Sequence, residues 1–509
     1  MGRNRGRQAK KEGGQAGEHQ QRQNNEYQQP SDPPRAVLAL HPGGAALAVA
    51  VGPELRVYDT RAQKLHVLVC KPDAGQQQQQ GKGQQAAAAA PIVRGLAFDA
   101  SGRYLLAGSE DKAAGLRLWD CDTWQLVQSI KVPKKVTTCA FTADGRHMLA
   151  ADKFGDVLAA TTQRPEGLPE GQAQEPEVLL GHYCAILTSL SLSANGRLLA
   201  TTDRDHRVRV SIVPTNPMAG AHDIQAFCFG HTTFVTCSAF VHQGDQELLV
   251  SGGGDGTLRL WDPLTGELLH TLELPPLPQP SGGEQDGDKQ AAGEQAADLT
   301  AAEQQGATQE EQEEEDGGAS SDEAGAACAG GAGDAQAAAA DAAVPLALAA
   351  SPDGGWLVAA VDGRDELCLV QLDWQARQLR EAAWCGLPGL HLPACLAFEA
   401  GGLLWAVGGP VADDSAAAFL ACATVEAASG AARLAPAALP AWLPAEGAVA
   451  LQALAGDEAA ALAAAAERRR LASQLLRKKN YDPVEREARK RRRRDRMAAG
   501  GSDAAVQDA

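Results

Sequence analysis

Apolar and polar positions alternate through much of this chain. In "GHTTFVTCSAFVHQGDQELLVSGGGDGTLRLWD", Gly230 to Asp262, the stretches "FVTCSAFV", "ELLVS" and "TLRLW" carry the period of two expected of half-buried strands, and "HQGDQ" and "GGDG" supply turns. Six further segments align with it: "RAVLALHPGGAALAVAVGPELRVYD", "IVRGLAFDASGRYLLAGSEDKAAGLRLWD", "VTTCAFTADGRHMLAADKFGDVLAATT", "GHYCAILTSLSLSANGRLLATTDRDHRVRVS", "VPLALAASPDGGWLVAAVDGRDELCLVQLD" and a degenerate last one, "LPACLAFEAGGLLWAVGG" through "AAFLACATV". Each predicts one small twisted sheet that buries its faces only against its neighbours, so the expected architecture is a closed, all-β, seven-bladed propeller.

Composition narrows the foldable part. Residues 1–34 are rich in Gln, Gly and Arg, residues 75–90 are a Gln/Ala tract, residues 276–342 are acidic and rich in Ala, Gly and Gln, and residues 431–509 are Ala-rich and then basic. Such segments bury too little apolar surface to offset the entropy of ordering, and are expected to be disordered insertions and tails. About 310 residues remain within 35–430, or roughly 45 for each of seven blades, the length of a four-stranded propeller repeat. A long insertion between blades is tolerable because loop-closure entropy grows slowly with length.

The net charge of −18 conceals segregation. Glu284 to Asp341 holds 16 acidic residues and one lysine, whereas Glu467 to Arg496 holds 14 basic and 5 acidic ones. The global balance therefore says little about partners. The C-terminal stretch has high helix propensity up to about Lys479, before Pro483, and the run Lys490, Arg491, Arg492, Arg493, Arg494 is dense enough for phosphate contact or nuclear import. The eleven cysteines are scattered without metal-ligand spacing, which predicts free thiols and no structural zinc, and no run approaches the roughly 20 apolar residues of a membrane helix. The expected protein is soluble, without membrane contact.

The Gly-His and Trp-Asp pairs of the quoted segment are those of a WD repeat. His231, Ser251, Asp255 and Trp261 fall where such a repeat keeps a hydrogen-bonded tetrad, because a buried indole N–H and a buried imidazole each need a partner. That structural reading outweighs a catalytic His–Asp–Ser one. No Gly-rich strand-to-helix turn suited to a nucleotide is found, so neither catalytic nor cofactor-binding residues are expected. Function is sought where the repeat breaks. In the fourth repeat Asp205 takes the turn position and Ser211 replaces the tryptophan; in the third, Gly155 stands for the aspartate and Lys153 stands just before the turn. Lys153, Asp203, Arg204, Asp205, Arg207 and Arg209 should form one charged patch, although Arg209 alone resembles the ordinary strand arginines Arg117 and Arg259.

"VPKKVTTCAFTADGRHMLAADKFGDVLA", "LLGHYCAILTSLSLSANGRLLATTDRDHRVRVS" and "FCFGHTTFVTCSAF" together resemble the signature stretches of the non-catalytic WD-repeat subunit of the eukaryotic tRNA (guanine-N7)-methyltransferase, most closely over residues 92–275. The resemblance implies a non-enzymatic scaffold in a heterodimer, and the expected localisation is the nucleus. Its partner would hold S-adenosylmethionine and methylate the variable-loop guanosine of tRNA, which this chain would meet through the complex. It also implies that Lys153, Asp205 and Arg209 contact the catalytic subunit, with Arg204 of the same charged patch expected to join them, and it favours auxiliary tRNA contact for the basic tail. The alternative is a generic WD-repeat scaffold, such as a ubiquitin-ligase substrate receptor or a histone-binding propeller.

Overall fold

A computed structural model describes residues 36–69, 91–277 and 342–443, apart from residues 166, 170, 171, 183, 184, 410–419, 429, 430, 439, 441 and 442. The acidic insert, the Gln tract, the N-terminal segment and the C-terminal helix and basic run, including Lys490 to Arg494, lie outside the described residues apart from the insert's edges, residues 276, 277 and 342.

The described chain forms seven antiparallel sheets of four strands, each in simple sequential order. They span residues 36–69, 93–130, 136–181, 187–228, 235–273, 345–386 and 391–436, blades 1 to 7. The first strand of every blade packs against the first strand of the next, and Ala36–Leu40 of blade 1 meets His391–Phe398 of blade 7. This closes a seven-bladed β-propeller. Closure needs no shared strand: Leu38, Val49 and Tyr58 of blade 1 bury against Trp405, Val407 and Cys422 of blade 7, with Leu443 in the same cluster.

Aromatic residues are only 4% of the chain, so the blade interiors are built from alternating small and branched aliphatic residues. Second strands such as Ala46–Val51 (ALAVAV) and Leu198–Asp203 are buried along their whole length. Covered by a neighbouring blade on each face, a second strand tolerates no exposed polar side. The seventh blade extends beyond residue 430: Ala431–Pro436 pairs with Leu420–Ala428 as its fourth strand, and Leu434 is buried. The boundary expected at 430 is corrected by these six residues, whose Ala-rich composition hides a strand.

In every blade the turn joining second to third strand, and the loop entering the first strand, lie on one face, because each sheet is a plain antiparallel meander. Equivalent positions are fixed by register. Ser109, Asp152, Asp203, Gly253 and Val361 end the paired region of the second strand in blades 2 to 6, opposite Val93, Val136, Leu187, Val235 and Pro345. The next residues, Glu110, Lys153, Arg204, Gly254 and Asp362, each donate their backbone N–H to the carbonyl of the residue just before the first strand: Ile92, Lys135, Ile186, Phe234 and Val344. One structural position thus recurs around the ring with different chemistry in each blade.

Candidate protein-docking site on blades 3 and 4

Blade 5 holds the tetrad. Trp261 Nε1 donates to Ser251 Oγ at 2.8 Å, Ser251 Oγ lies 2.8 Å from His231 Nε2, and His231 Nδ1 is 3.0 Å from Asp255 Oδ2. Facing a carboxylate, Nδ1 carries the proton and leaves Nε2 to accept the serine hydroxyl, so all four groups are satisfied without water. Burial alone would raise the Asp255 carboxyl, but the His231 bond and the backbone N–H of Thr232 outweigh it and hold it down to about 2. The folded value is below the ordinary 3.8, so the stabilisation is present above pH 4 and is lost as pH falls toward 2. Asp255→Asn should therefore lower the urea midpoint at pH 7 by the equivalent of about 2 kcal/mol, and the gap from the wild type should close below pH 3. A gap independent of pH would show that the carboxylate charge is not what the tetrad uses.

In blade 4 the tetrad is rebuilt. His182 Nδ1 is 2.9 Å from Asp203 Oδ2, and His182 Nε2 is 2.7 Å from Thr201 Oγ1. The acid comes from Asp203 at the strand end, not from Asp205. The reason lies in one atom: in blade 5 the equivalent residue is Gly253, where a Cβ would collide with the His231 ring, so the carboxylate must come from the turn. Asp203 Oδ1 also accepts the N–H groups of Asp205 (2.8 Å) and Arg207 (3.1 Å), tightening the turn. Asp205 is thereby released from a structural role and stands half-buried.

Arg209 is placed differently from the patch expected of it. It is only 9% exposed, its Nε donates to Ser211 Oγ at 2.9 Å and its Nη1 to the Gly181 carbonyl at 3.1 Å. Ser211 is at the register position of Trp261, opposite Leu199 as Trp261 is opposite Leu249. Arg209 serves the interior of blade 4, and burial lowers its pKa. Its counterparts Arg117 and Arg259 instead pair with turn aspartates, Asp111 at 3.2 Å and Asp255 at 3.8 Å.

Among the described residues, blade 3 has no histidine partner for its strand-end acid. Asp152 is fully buried; its Oδ1 accepts the N–H groups of Phe154, Gly155 and Asp156, and its Oδ2 has no partner among the described residues. Burial raises its pKa. Gly155 does not stand for the turn aspartate: Phe154 does, and Gly155 matches Gly256. Its φ of 107° and the close approach of the His182 and Ala185 carbonyls admit no side chain there.

Of the remaining members, Lys153 and Arg204 come together. Lys153 and Arg204 occupy the same position in adjacent blades and line the mouth of the central channel, a cavity of about 390 Å³ bounded by the first strands of all seven blades. Phe154, beside Lys153, is 60% exposed, with Lys134 Nζ 4.1 Å from its ring centroid. Sequence reading missed Phe154, Arg94, Lys135 and Glu110; register equivalence with Arg204 is the signal that finds Glu110. Among the described residues no cluster of metal-ligating side chains occurs and all cysteines are free.

Ring, tetrad and strand order define a seven-bladed WD-repeat propeller. The family model for the tRNA methyltransferase TRM82 WD40 domain matches residues 4–174 and 159–314, more than half the chain, and the chain belongs to that family. It is 33% identical over 248 residues to the tRNA (guanine-N(7)-)-methyltransferase non-catalytic subunit WDR4 of Bos taurus, covering 48% of this chain and 54% of that protein. The corresponding Mus musculus subunit is 35% identical over 215 residues, 42% of this chain and 48% of that one. The non-catalytic subunit TRM82 of Meyerozyma guilliermondii is 32% identical over 186 residues, 36% and 42% respectively. In these alignments the chain spans about half the length of its relatives.

Proposed function

We propose that this propeller is the non-catalytic scaffold of a tRNA (guanine-N7)-methyltransferase, docking the S-adenosylmethionine-dependent subunit through the turns of blades 3 and 4. The observation that carries the reading is that two successive blades put Lys153 and Arg204 at one structural position on the lining of the central channel, followed in sequence by the exposed Phe154 and the half-buried Asp205. A charged pair with an aromatic anchor suits a specific protein interface, where a few such residues carry most of the affinity and charge sets orientation. Arg209 is left out of the docking set because its guanidinium is engaged inside blade 4. The cofactor belongs to the partner in this reading, tRNA is met through the complex, and the basic run Lys490 to Arg494 directs nuclear import or touches tRNA.

The test is reconstitution. The purified chain alone should neither bind S-adenosylmethionine in calorimetry nor methylate tRNA; mixed with the catalytic subunit, it should co-elute and support guanine-N7 methylation. Recovery of a ubiquitin-ligase adaptor or histone instead of the methyltransferase in a tagged pull-down would favour the generic scaffold.

A further inference from the structure

We propose that Glu110 is a positioning residue of the docking face, holding Lys153 in the place from which it meets the partner. The inference rests on the docking role given to Lys153 above. Glu110 sits in blade 2 at the position that Lys153 and Arg204 hold in blades 3 and 4, and its side chain is only 5% exposed. Three cations from three segments converge on its one carboxylate. Arg94 Nη2 from the first strand of blade 2 is 2.6 Å from Oε1, Lys135 Nζ from the loop entering blade 3 is 2.6 Å from Oε2, and Lys153 Nζ from the turn of blade 3 is 3.4 Å from Oε1. Burial would raise the carboxyl, yet these cations keep it below its ordinary range and therefore ionised.

A lysine carries a flexible four-carbon stem, and fixing it at an interface costs entropy that a partner must otherwise offset. Tethering its ammonium to a buried carboxylate meets that cost before docking, which is how pre-organisation raises affinity.

Charge and position pull in opposite directions, which makes the test decisive. Removing the Glu110 charge would raise the local potential and tighten binding to an acidic surface, an effect that salt screens; loss of position weakens binding and persists in salt. The affinity of the full-length chain for the catalytic methyltransferase subunit is measured for the wild type, Glu110→Gln, Lys153→Ala and the double variant, at 0.1 and 0.5 M salt. Glu110→Gln is expected to weaken binding about tenfold at both salts, and less than about twofold once Lys153 is alanine. Equal weakening in both backgrounds would mean that Glu110 acts through the fold and not through Lys153, overturning the proposal. Unchanged or tighter binding by Glu110→Gln, with Lys153→Ala still weakened, overturns it while sparing the docking site. If Lys153→Ala binds as the wild type does, the docking role of Lys153 fails and this inference with it. Should Glu110→Gln not fold, Glu110→Asp, which draws the charge back by one methylene, carries the same cycle.

Discussion

Arg204→Glu is expected to abolish co-elution with the catalytic subunit while leaving the propeller folded. At an interface desolvated by docking, the reversal removes an attraction and sets like charges together, a loss of several kcal/mol, on the order of a thousandfold or more in affinity. Arg204 is half-buried on a turn whose backbone is held by Asp203 and by its own N–H bond to Ile186, so the course of the turn does not depend on the guanidinium. Lys153→Glu is a poorer probe, because it would set a second carboxylate beside Glu110 and disturb the cluster. Arg146→Glu is the control: it is 81% exposed and lies in the opposite turn of blade 3, between first and second strands. Gel filtration with the partner and a urea titration of each variant decide the matter. Equal assembly by Arg204→Glu and Arg146→Glu would remove the docking face from blades 3 and 4.

Much of the ring was legible because the signal is local. Alternation and turns such as "SANG" and "GGDG" mark strands wherever a blade buries its strands against its neighbours, and seven such units require closure. The tetrad of blade 5 was legible for the same reason, since its four residues lie within 31 positions of one another. Alignment by turn residues failed where the question was which atom reaches which. Asp205 aligns with Asp255 in sequence and in register, yet Asp203 supplies the carboxylate in blade 4, because position 203 has a side chain and position 253 has none. Gly155 was misread by one residue for want of the register that pairs Asp152 with Val136. Glu110 was beyond reach in a different way: it is 43 residues from Lys153 and in another blade, and only the closing of adjacent sheets brings the carboxylate to the ammonium. Strand Ala431–Pro436 escaped because half of its six residues are alanine and only Leu434 offers a large apolar side chain.

Arg209→Glu should behave unlike Arg204→Glu, although the two lie only five positions apart. Arg209 donates from Nε to Ser211 and from Nη1 to the Gly181 carbonyl inside blade 4, where Ser211 is fully buried. A glutamate there would lose both donors, face the Gly181 carbonyl oxygen and bury an uncompensated charge. Changes of that kind cost about 3–5 kcal/mol, against under about 1 kcal/mol for an exposed arginine. The urea midpoint should fall by that amount, and assembly should fail only to the degree that the ring unfolds. Arg209→Met, which keeps an apolar stem of similar length and buries no charge, should recover part of the loss, because it leaves only the Ser211 hydroxyl and one carbonyl unpaired. Arg259→Glu in blade 5 is not a neutral control, since Arg259 is 3.8 Å from Asp255 and reversal sets two carboxylates together beside the tetrad. A variant Arg209→Glu with an unchanged midpoint but no assembly would place Arg209 at the docking face and overturn the structural role assigned to it.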